Sequence, residues 1–189
     1  MALYRQEELF VVENKLVLKA EAAEVDASLL QVNSLLLPVV DNVLLAPQVA
    51  VAEVLNWGEQ GADDLLPDKA DTSPHCYGWI NWRDQTIPLL SFDSIYSGQR
   101  PLLDKELKIV ICNAVFKASA TGFYALLVSN FPRALRLSME GEMVLESTPS
   151  DKPGAQMRVS VDGEEVLIPD FEYLEHIVAE IAEKEAQSH

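Results

Sequence analysis

A phrase near the middle of the chain, from Tyr77 to Phe92, constrains the fold more than any other stretch of the sequence. An apolar, β-favouring run with Trp79 and Ile80 gives way to polar residues where the chain must turn, and the apolar pattern resumes at Thr86. The phrase therefore predicts two strands joined by a short polar turn. Pro88 has no backbone N–H to donate to a sheet, so the second strand is expected at an edge or a bulge.

The polar break of this phrase surrounds a tryptophan, in the order Asn81, Trp82, Arg83, Asp84 and Gln85. Tryptophan and arginine are enriched where protein interfaces concentrate their binding energy, which makes the turn a candidate docking surface. Large aromatic residues also fill cores, and a charged turn residue is usually solvated. Taken alone, the residues favour the structural role.

Short β-favouring runs recur through the rest of the chain. The predicted strands cover 9–12 and 15–18 as a hairpin, 34–40 and 43–47 about a turn, and 107–112, 123–128, 133–138 and 166–168. A polar loop is predicted over 56–74, and loop with short strand over 146–164. The segment 20–24 favours helix, so the first 33 residues are treated as an N-terminal extension.

The chain closes with one amphipathic helix. Apolar residues follow the N-cap candidate Asp170 at helical spacing, with glutamates on the other face, and they are Phe171, Leu174, Ile177, Val178 and Ile181. A mainly-β fold with this helix is predicted for residues 34–182, and residues 183–189 are expected to form a flexible tail. The generic architectures for such a pattern are a small barrel or a sandwich.

The charge of the chain limits its partners. Thirty acidic residues against fourteen basic ones give a net charge of −16, which repels nucleic-acid phosphates and anionic lipid headgroups, so no nucleic-acid binding is expected. The N-terminus lacks the pattern of a secretory signal, and no apolar run approaches the ~20 residues that cross a bilayer. A cytoplasmic protein without direct membrane insertion is expected.

A search for catalytic chemistry finds no motif. The glycines form neither a dinucleotide fingerprint nor a phosphate-binding loop, and no nucleophile elbow or zinc-protease helix is present. His75 beside Cys76 lacks the further ligands that a structural zinc site needs. Cys76 and Cys112 are expected to be small buried apolar residues rather than a disulfide or metal site. No enzyme, metal or cofactor is predicted.

Five pieces of sequence, in order, resemble the signature of CheW-like coupling proteins, the adaptor modules of bacterial chemosensory arrays. They are Leu44 to Val54 with its Val-x-Glu-Val element, Pro74-x-x-x-Gly78 followed by Ile80-Asn81-Trp82-Arg83, Ile87 to Phe92, Tyr124 to Val128, and Leu167 to Leu174. The resemblance covers about Leu35 to Leu174.

The resemblance implies two SH3-like five-stranded β-barrels that share a core and have no catalytic activity. It implies a link between methyl-accepting chemoreceptors and the regulatory domain of a CheA-type histidine kinase. The family's paired Glu and Arg fall on Glu53 and Arg83, where a salt bridge would brace the receptor-binding groove. The other residues expected at or near partner surfaces are Val49, Val51, Ile80, Asn81, Trp82, Asp84 and Ile87.

Three positions depart from the family pattern. Trp82 replaces an aliphatic residue, Asp84 replaces the glycine after the arginine, and Ser129 replaces an aspartate. These differences are similar to the divergent CheW-like proteins of type IV pilus (twitching motility) systems, of the ChpC kind. The sequence leaves open a homo-oligomer. It also leaves open an alternative function, a β-barrel ligand-binding or regulatory module unconnected to chemosensing with a tryptophan-lined pocket, and, after that, an enzyme.

Overall fold

The computed structural model describes residues 9–12, 15–18, 31–57, 73–116, 122–138 and 144–187. These residues form thirteen strands, two α-helices and one short 3-10 helix, Gln48–Ala50. The helices are α1 (Phe92–Ser97) and α2 (Phe171–Gln187). The strands are β1 (Leu9–Val12), β2 (Lys15–Leu18), β3 (Gln31–Pro38), β4 (Val43–Pro47), β5 (Val51–Asn56), β6 (Cys76–Trp82), β7 (Gln85–Leu90), β8 (Lys108–Asn113), β9 (Phe123–Val128), β10 (Arg133–Ser138), β11 (Val144–Pro149), β12 (Ala155–Val161) and β13 (Glu164–Pro169).

The strands belong to two sheets, and the mainly-β prediction with a closing helix is confirmed. One sheet has five strands in the order β5-β8-β9-β7-β6, and the other has eight in the order β1-β2-β11-β12-β13-β4-β3-β10. The central phrase forms the predicted hairpin, because β6 pairs antiparallel with β7 and Trp82 lies opposite Gln85. Residues Cys76 and Gly78 flank a register shift in this pairing.

The eight-stranded sheet is larger than the five strands implied by the resemblance. The predicted hairpin of β1 and β2 is present, with Leu9 opposite Leu18, and β2 pairs with β11 and so extends the sheet. The segment 20–24, where the sequence favours helix, lies outside the described residues. The segment 146–164, predicted as loop with short strand, contains more strand than expected, because β11 and β12 occupy most of it. β12 alternates buried Val159 with exposed Ser160, and its polar outer face explains the difference.

Three clusters of buried apolar residues hold the fold together. One fills the five-stranded sheet, with Ile80, Ile87 and Ile111 among its members, and a smaller one lines the eight-stranded sheet. The third, which includes Leu44, Trp79, Phe92 and Tyr124, takes side chains from both sheets. An interior cluster for each sheet and one between them is the arrangement expected of two barrels that share a core.

The C-terminal helix seals the shared cluster. Leu174, Ile177, Val178 and Ile181 are buried in it as predicted, and Asp170 accepts a hydrogen bond of 3.0 Å from the backbone N–H of Tyr173, as an N-cap does. The prediction that the glutamates all lie on the solvent face is wrong for Glu175, which is fully buried. Neither described helix is long and apolar enough to cross a membrane.

Candidate functional site

The candidate site begins at the turn between β6 and β7. Trp82 and Gln85 face each other across the hairpin, so the loop has two residues, Arg83 with a φ of 47° and Asp84 with a φ of 62°. Positive φ at both central positions is the pattern of a type I′ turn, whose twist matches that of the strands. The turn therefore projects the Arg83 side chain from the tip of a regular hairpin.

The side chain of Glu53 also contacts this turn, although Glu53 lies on the opposite edge strand of the sheet. Its Oε2 atom accepts hydrogen bonds from the Arg83 guanidinium and from the Trp82 indole Nε1, each at 2.9 Å. Glu53 lies on β5 and Trp82 on β6, which are the two edge strands of the five-stranded sheet. One carboxylate oxygen thus links the two edge strands of this sheet through side-chain hydrogen bonds.

The Trp82 ring forms the floor of the cluster. Trp82 is 5% exposed, and its ring makes an edge contact with Phe123, with 4.8 Å between the ring centroids. The Arg83 guanidinium lies 4.7 Å from the centroid of the Trp82 ring, within the range of a cation–π interaction. A buried aromatic ring and a carboxylate therefore hold the arginine in one orientation.

The ion pair itself contributes little to stability. The Arg83 side chain is 67% exposed and that of Glu53 is 37% exposed, and pairs so accessible to water are usually worth about 1 kcal/mol or less. A positioned cation that remains open to solvent can still contact a carboxylate or a carbonyl group on another protein. The geometry is therefore better suited to binding than to bracing the fold.

Three chain segments meet at this end of the barrel. Val51 at the start of β5 pairs with Cys112 near the end of β8, and Asn113 pairs with Phe123 at the start of β9. Because the Phe123 ring contacts Trp82, the turn after β6, the connection after β8 and the 3-10 helix before β5 lie together. The side-chain amide of Asn113 donates to the carbonyl oxygen of Val49 at 2.8 Å and ties two of these segments.

The structure sorts the other predicted site residues into surface and core. Val49 is 81% exposed on the 3-10 helix, and Val51 is half-buried against the shared core. Asn81 is exposed and accepts a hydrogen bond of 3.0 Å from the Thr86 hydroxyl. These residues lie at the same end of the barrel as Arg83, and their contact with a partner remains a prediction.

Ile80 and Ile87 require a correction. They are 1% and 0% exposed and face each other across the hairpin inside the barrel cluster. Side chains so deeply buried support the surface from below and do not contact a partner directly. Phe123 and Asn113 also belong to the site, but they were not identified from the sequence. The only signal in the sequence was that an aromatic residue, Phe123, begins a predicted strand.

Arg83 forms its ion pair with Glu53 and not with the neighbouring carboxylate of Asp84. No ion pair between these neighbours is present in the described turn, and Arg83 is paired with Glu53 instead. Ser129, the third departure from the family pattern, has a structural role. Its backbone N–H donates to the carbonyl oxygen of Pro38 at 2.7 Å, and its hydroxyl lies 3.0 Å from the same oxygen. The serine therefore fixes the end of β9, in one sheet, to the end of β3, in the other.

Cys76, Cys112 and His75 make contacts within the fold. Cys76 and Cys112 are free and buried, and burial raises the pKa of the Cys112 thiol to about 12. The Cys76 thiol donates to the carbonyl oxygen of Gly78 at 3.2 Å, and His75 Nδ1 lies 3.3 Å from the Ser94 hydroxyl. In the described part of the chain, no three potential metal ligands come together.

The fold and this site define a double-barrel protein with an ordered Glu–Trp–Arg cluster at the end of one barrel. A family model for the CheW-like domain matches residues 33–177, and the chain belongs to that family. The scaffolding protein TtCheW from Thermoanaerobacter tengcongensis has a similar solved structure, with a TM-score of 0.55 and 14% sequence identity over 75% of this chain and 90% of that one. No curated protein matches the sequence.

The left-handed backbone of the turn at Arg83 and Asp84 leads to a prediction about stability. Asp84 occupies a position where type I′ turns prefer glycine, and the corresponding turn between β12 and β13 has Gly163 there with a φ of 82°. We expect Asp84→Gly to raise the free energy of unfolding by about 1 kcal/mol, since left-handed backbone costs a residue with a side chain roughly that much. Urea unfolding measures it, and Asp84→Asn controls for the lost charge. A lower unfolding midpoint for Asp84→Gly would contradict the strain assigned to the turn.

Proposed function

We propose that this protein is a non-catalytic cytoplasmic adaptor that couples methyl-accepting chemoreceptors to the regulatory domain of a CheA-type histidine kinase. The ordered cluster of Glu53, Trp82 and Arg83 carries the proposal, because it holds an exposed cation in a fixed place without any catalytic arrangement around it. Membership of the CheW-like family supports the adaptor class. Trp82, Asp84 and Ser129 support the narrower assignment to a type IV pilus (twitching motility) system of the ChpC kind.

The partner surface in this proposal surrounds the Arg83 guanidinium. Arg83 is the polar centre, and Val49, Val51, Asn81 and Asp84 supply its surroundings at the same end of the barrel. Because Glu53 and Trp82 already orient the guanidinium, an interface gains its charge-assisted hydrogen bonds without first immobilising a long side chain. An apolar contact beside a positioned charge is the composition of many interface centres.

The tryptophans argue against the alternative of a ligand-binding barrel. Trp79 and Trp82 are 7% and 5% exposed and pack in two different core clusters. Trp57 is also buried, in the same cluster as Trp82. Side chains that fill cores do not line an open small-molecule pocket, and the feature that suggested such a pocket is therefore accounted for by packing.

Charge reversal at Arg83 tests the receptor contact. We expect Arg83→Glu to weaken binding to the cytoplasmic tip of a chemoreceptor from the same organism by at least about tenfold, because a like charge in a complementary interface costs several kcal/mol. Unfolding should change by no more than about 1 kcal/mol, since the ion pair is exposed. Co-sedimentation with receptor-containing membranes measures the binding.

A matched control is present in the other sheet. Arg133 on β10 pairs with Glu164 at 3.1 Å, and its side chain is 64% exposed. Arg133→Glu therefore makes the same change of charge and breaks the same kind of ion pair away from the site. If Arg83→Glu and Arg133→Glu retain equal receptor binding, the role assigned to Arg83 is wrong.

A further inference from the structure

An open groove lies between the first turn of α2 and the connection that follows β8. Its volume is about 430 Å³, and its lining residues are Phe116, Asp170, Glu172, Tyr173 and His176. None of these residues belongs to the Glu53, Trp82 and Arg83 cluster. The groove is therefore a separate surface.

The apolar part of the groove is aromatic and unusually exposed. Phe116 is 55% exposed and Tyr173 is 39% exposed, and Val115, which precedes Phe116 in the chain, is 61% exposed. Neighbouring exposed apolar side chains on a soluble protein commonly mark interaction sites. Two aromatic side chains in the lining offer a partner apolar contact.

The exposed residues are held in place rather than merely left at the surface. Glu175 of α2 is fully buried, and its carboxylate oxygens accept hydrogen bonds from the backbone N–H groups of Val115 and Phe116 at 2.6 and 2.9 Å. Hydrogen bonds to a buried carboxylate are among the stronger ones in proteins. Because the helix fixes this segment in advance, a partner does not have to order it on binding.

The polar part of the groove is acidic. Asp170 and Glu172 line it, and Glu172 has no ion-pair partner among the described residues. His176 is turned to Glu180, with 3.2 Å between Nε2 and Oε1. Carboxylates beside aromatic faces bind a guanidinium group well, because the carboxylate accepts its hydrogen bonds and the ring attracts its charge. An anionic occupant would meet these carboxylates and the net charge of −16.

We propose that this groove docks a segment of a partner protein that presents an arginine next to an apolar residue. The arginine lies against Tyr173 and Glu172, and the apolar residue packs on Phe116 and Val115. This second contact surface goes beyond the coupling function proposed above and does not depend on Arg83. It gives the chain a way to hold one partner at the groove and another at the hairpin turn.

A titration of the full chain, labelled with nitrogen-15, tests the proposal. The probe is a short peptide that alternates arginine and leucine. We expect saturable shifts of amide signals concentrated at Phe116, Tyr173 and His176, and none with the peptide that has glutamate in place of arginine. Tyr173→Ala and Glu172→Lys should each weaken binding roughly tenfold, the range of a cation–π contact or a charge-assisted hydrogen bond.

Two control variants distinguish peptide binding at the groove from general electrostatic attraction to an acidic protein. Glu183→Lys makes the same charge change at an exposed position on the same helix, and Phe131→Ala removes an aromatic side chain that is 51% exposed elsewhere. Neither control should weaken binding by more than about twofold. Arg83→Glu should leave peptide binding unchanged, so failure at the groove and failure of the coupling function are distinguishable.

Three results would overturn the proposal. The first is no saturable binding, and the second is equal weakening by Glu172→Lys and Glu183→Lys, which would mean unspecific attraction. The third is a change in oligomeric state, by sedimentation, on Tyr173→Ala alone, which would mean that the occupant of the groove is a second copy of this chain.

Discussion

Gly154→Ala should destabilise the protein by about 3 kcal/mol, the sum of a left-handed backbone penalty and an overpacking penalty. Gly154 has a φ of 81°, and a β-carbon built on it would lie 2.8 Å from Cγ2 of Ile95. That contact is shorter than atoms tolerate, and the ring of Phe92 is a further neighbour at 3.5 Å. Ile95 and Phe92 belong to α1, whereas Gly154 immediately precedes β12, so the added methyl group would push α1 away from the start of β12.

Gly163 supplies the control for this substitution. Its φ is 82°, almost the same as that of Gly154, but nothing lies within 4 Å of an added β-carbon. Gly163→Ala should therefore cost only the backbone term, about 1 kcal/mol. Urea unfolding of both variants separates the two penalties. Equal losses of stability would mean that Ile95 moves aside freely and that the contact between α1 and the start of β12 is not tightly packed.

Glu175→Ala should be the second strongly destabilising change, with a loss of about 3 kcal/mol. The substitution removes a fully buried carboxylate and leaves the N–H groups of Val115 and Phe116 without their acceptors. Each such donor costs roughly 1–3 kcal/mol when water cannot fully replace the lost partner. Glu175→Gln keeps one acceptor oxygen and should cost about half as much.

Hydrogen exchange gives this prediction a local readout. The amides of Val115 and Phe116 should lose protection in Glu175→Ala, while those in the centre of β8 keep theirs relative to global unfolding. Glu183→Ala, at an exposed position on the same helix, should change stability by no more than about 0.5 kcal/mol. If Glu175→Ala behaves like Glu183→Ala, the buried carboxylate does not fix the segment after β8.

The central hairpin was predictable because its sequence contains both the apolar runs of two strands and the polar residues of a turn. Apolar runs on either side of a polar break define two strands, and the break has the length of a turn. The closing helix was predictable for a similar reason, since Leu174, Ile177 and Ile181 repeat at helical spacing. The pairing of Glu53 with Arg83 came from family resemblance, because no local rule brings together residues of opposite edge strands.

Other elements depend on contacts that a sequence does not display. Helix α1 is only six residues long, and its start is capped by Ser91, whose hydroxyl accepts a hydrogen bond of 3.1 Å from the backbone N–H of Ser94. β12 has a polar outer face that resembles loop sequence. Ile80 and Ile87 were expected near a partner surface, yet their side chains lie on the face of the hairpin that packs into the barrel cluster. Glu175 has the sequence pattern of a surface glutamate, but its carboxylate accepts hydrogen bonds from the segment after β8, which no local pattern predicts.

Calorimetric titration against the purified regulatory domain of the CheA-type histidine kinase from the same organism tests whether this chain is an adaptor. We expect saturable binding with a one-to-one plateau. Trp82→Phe, which keeps an aromatic side chain but removes the indole N–H that donates to Glu53, and Arg83→Glu, measured separately, show whether the hairpin turn belongs to the kinase surface or to the receptor surface. No binding at high concentration of either protein would mean that the chain is not an adaptor for this kinase and that its fold serves a different partner.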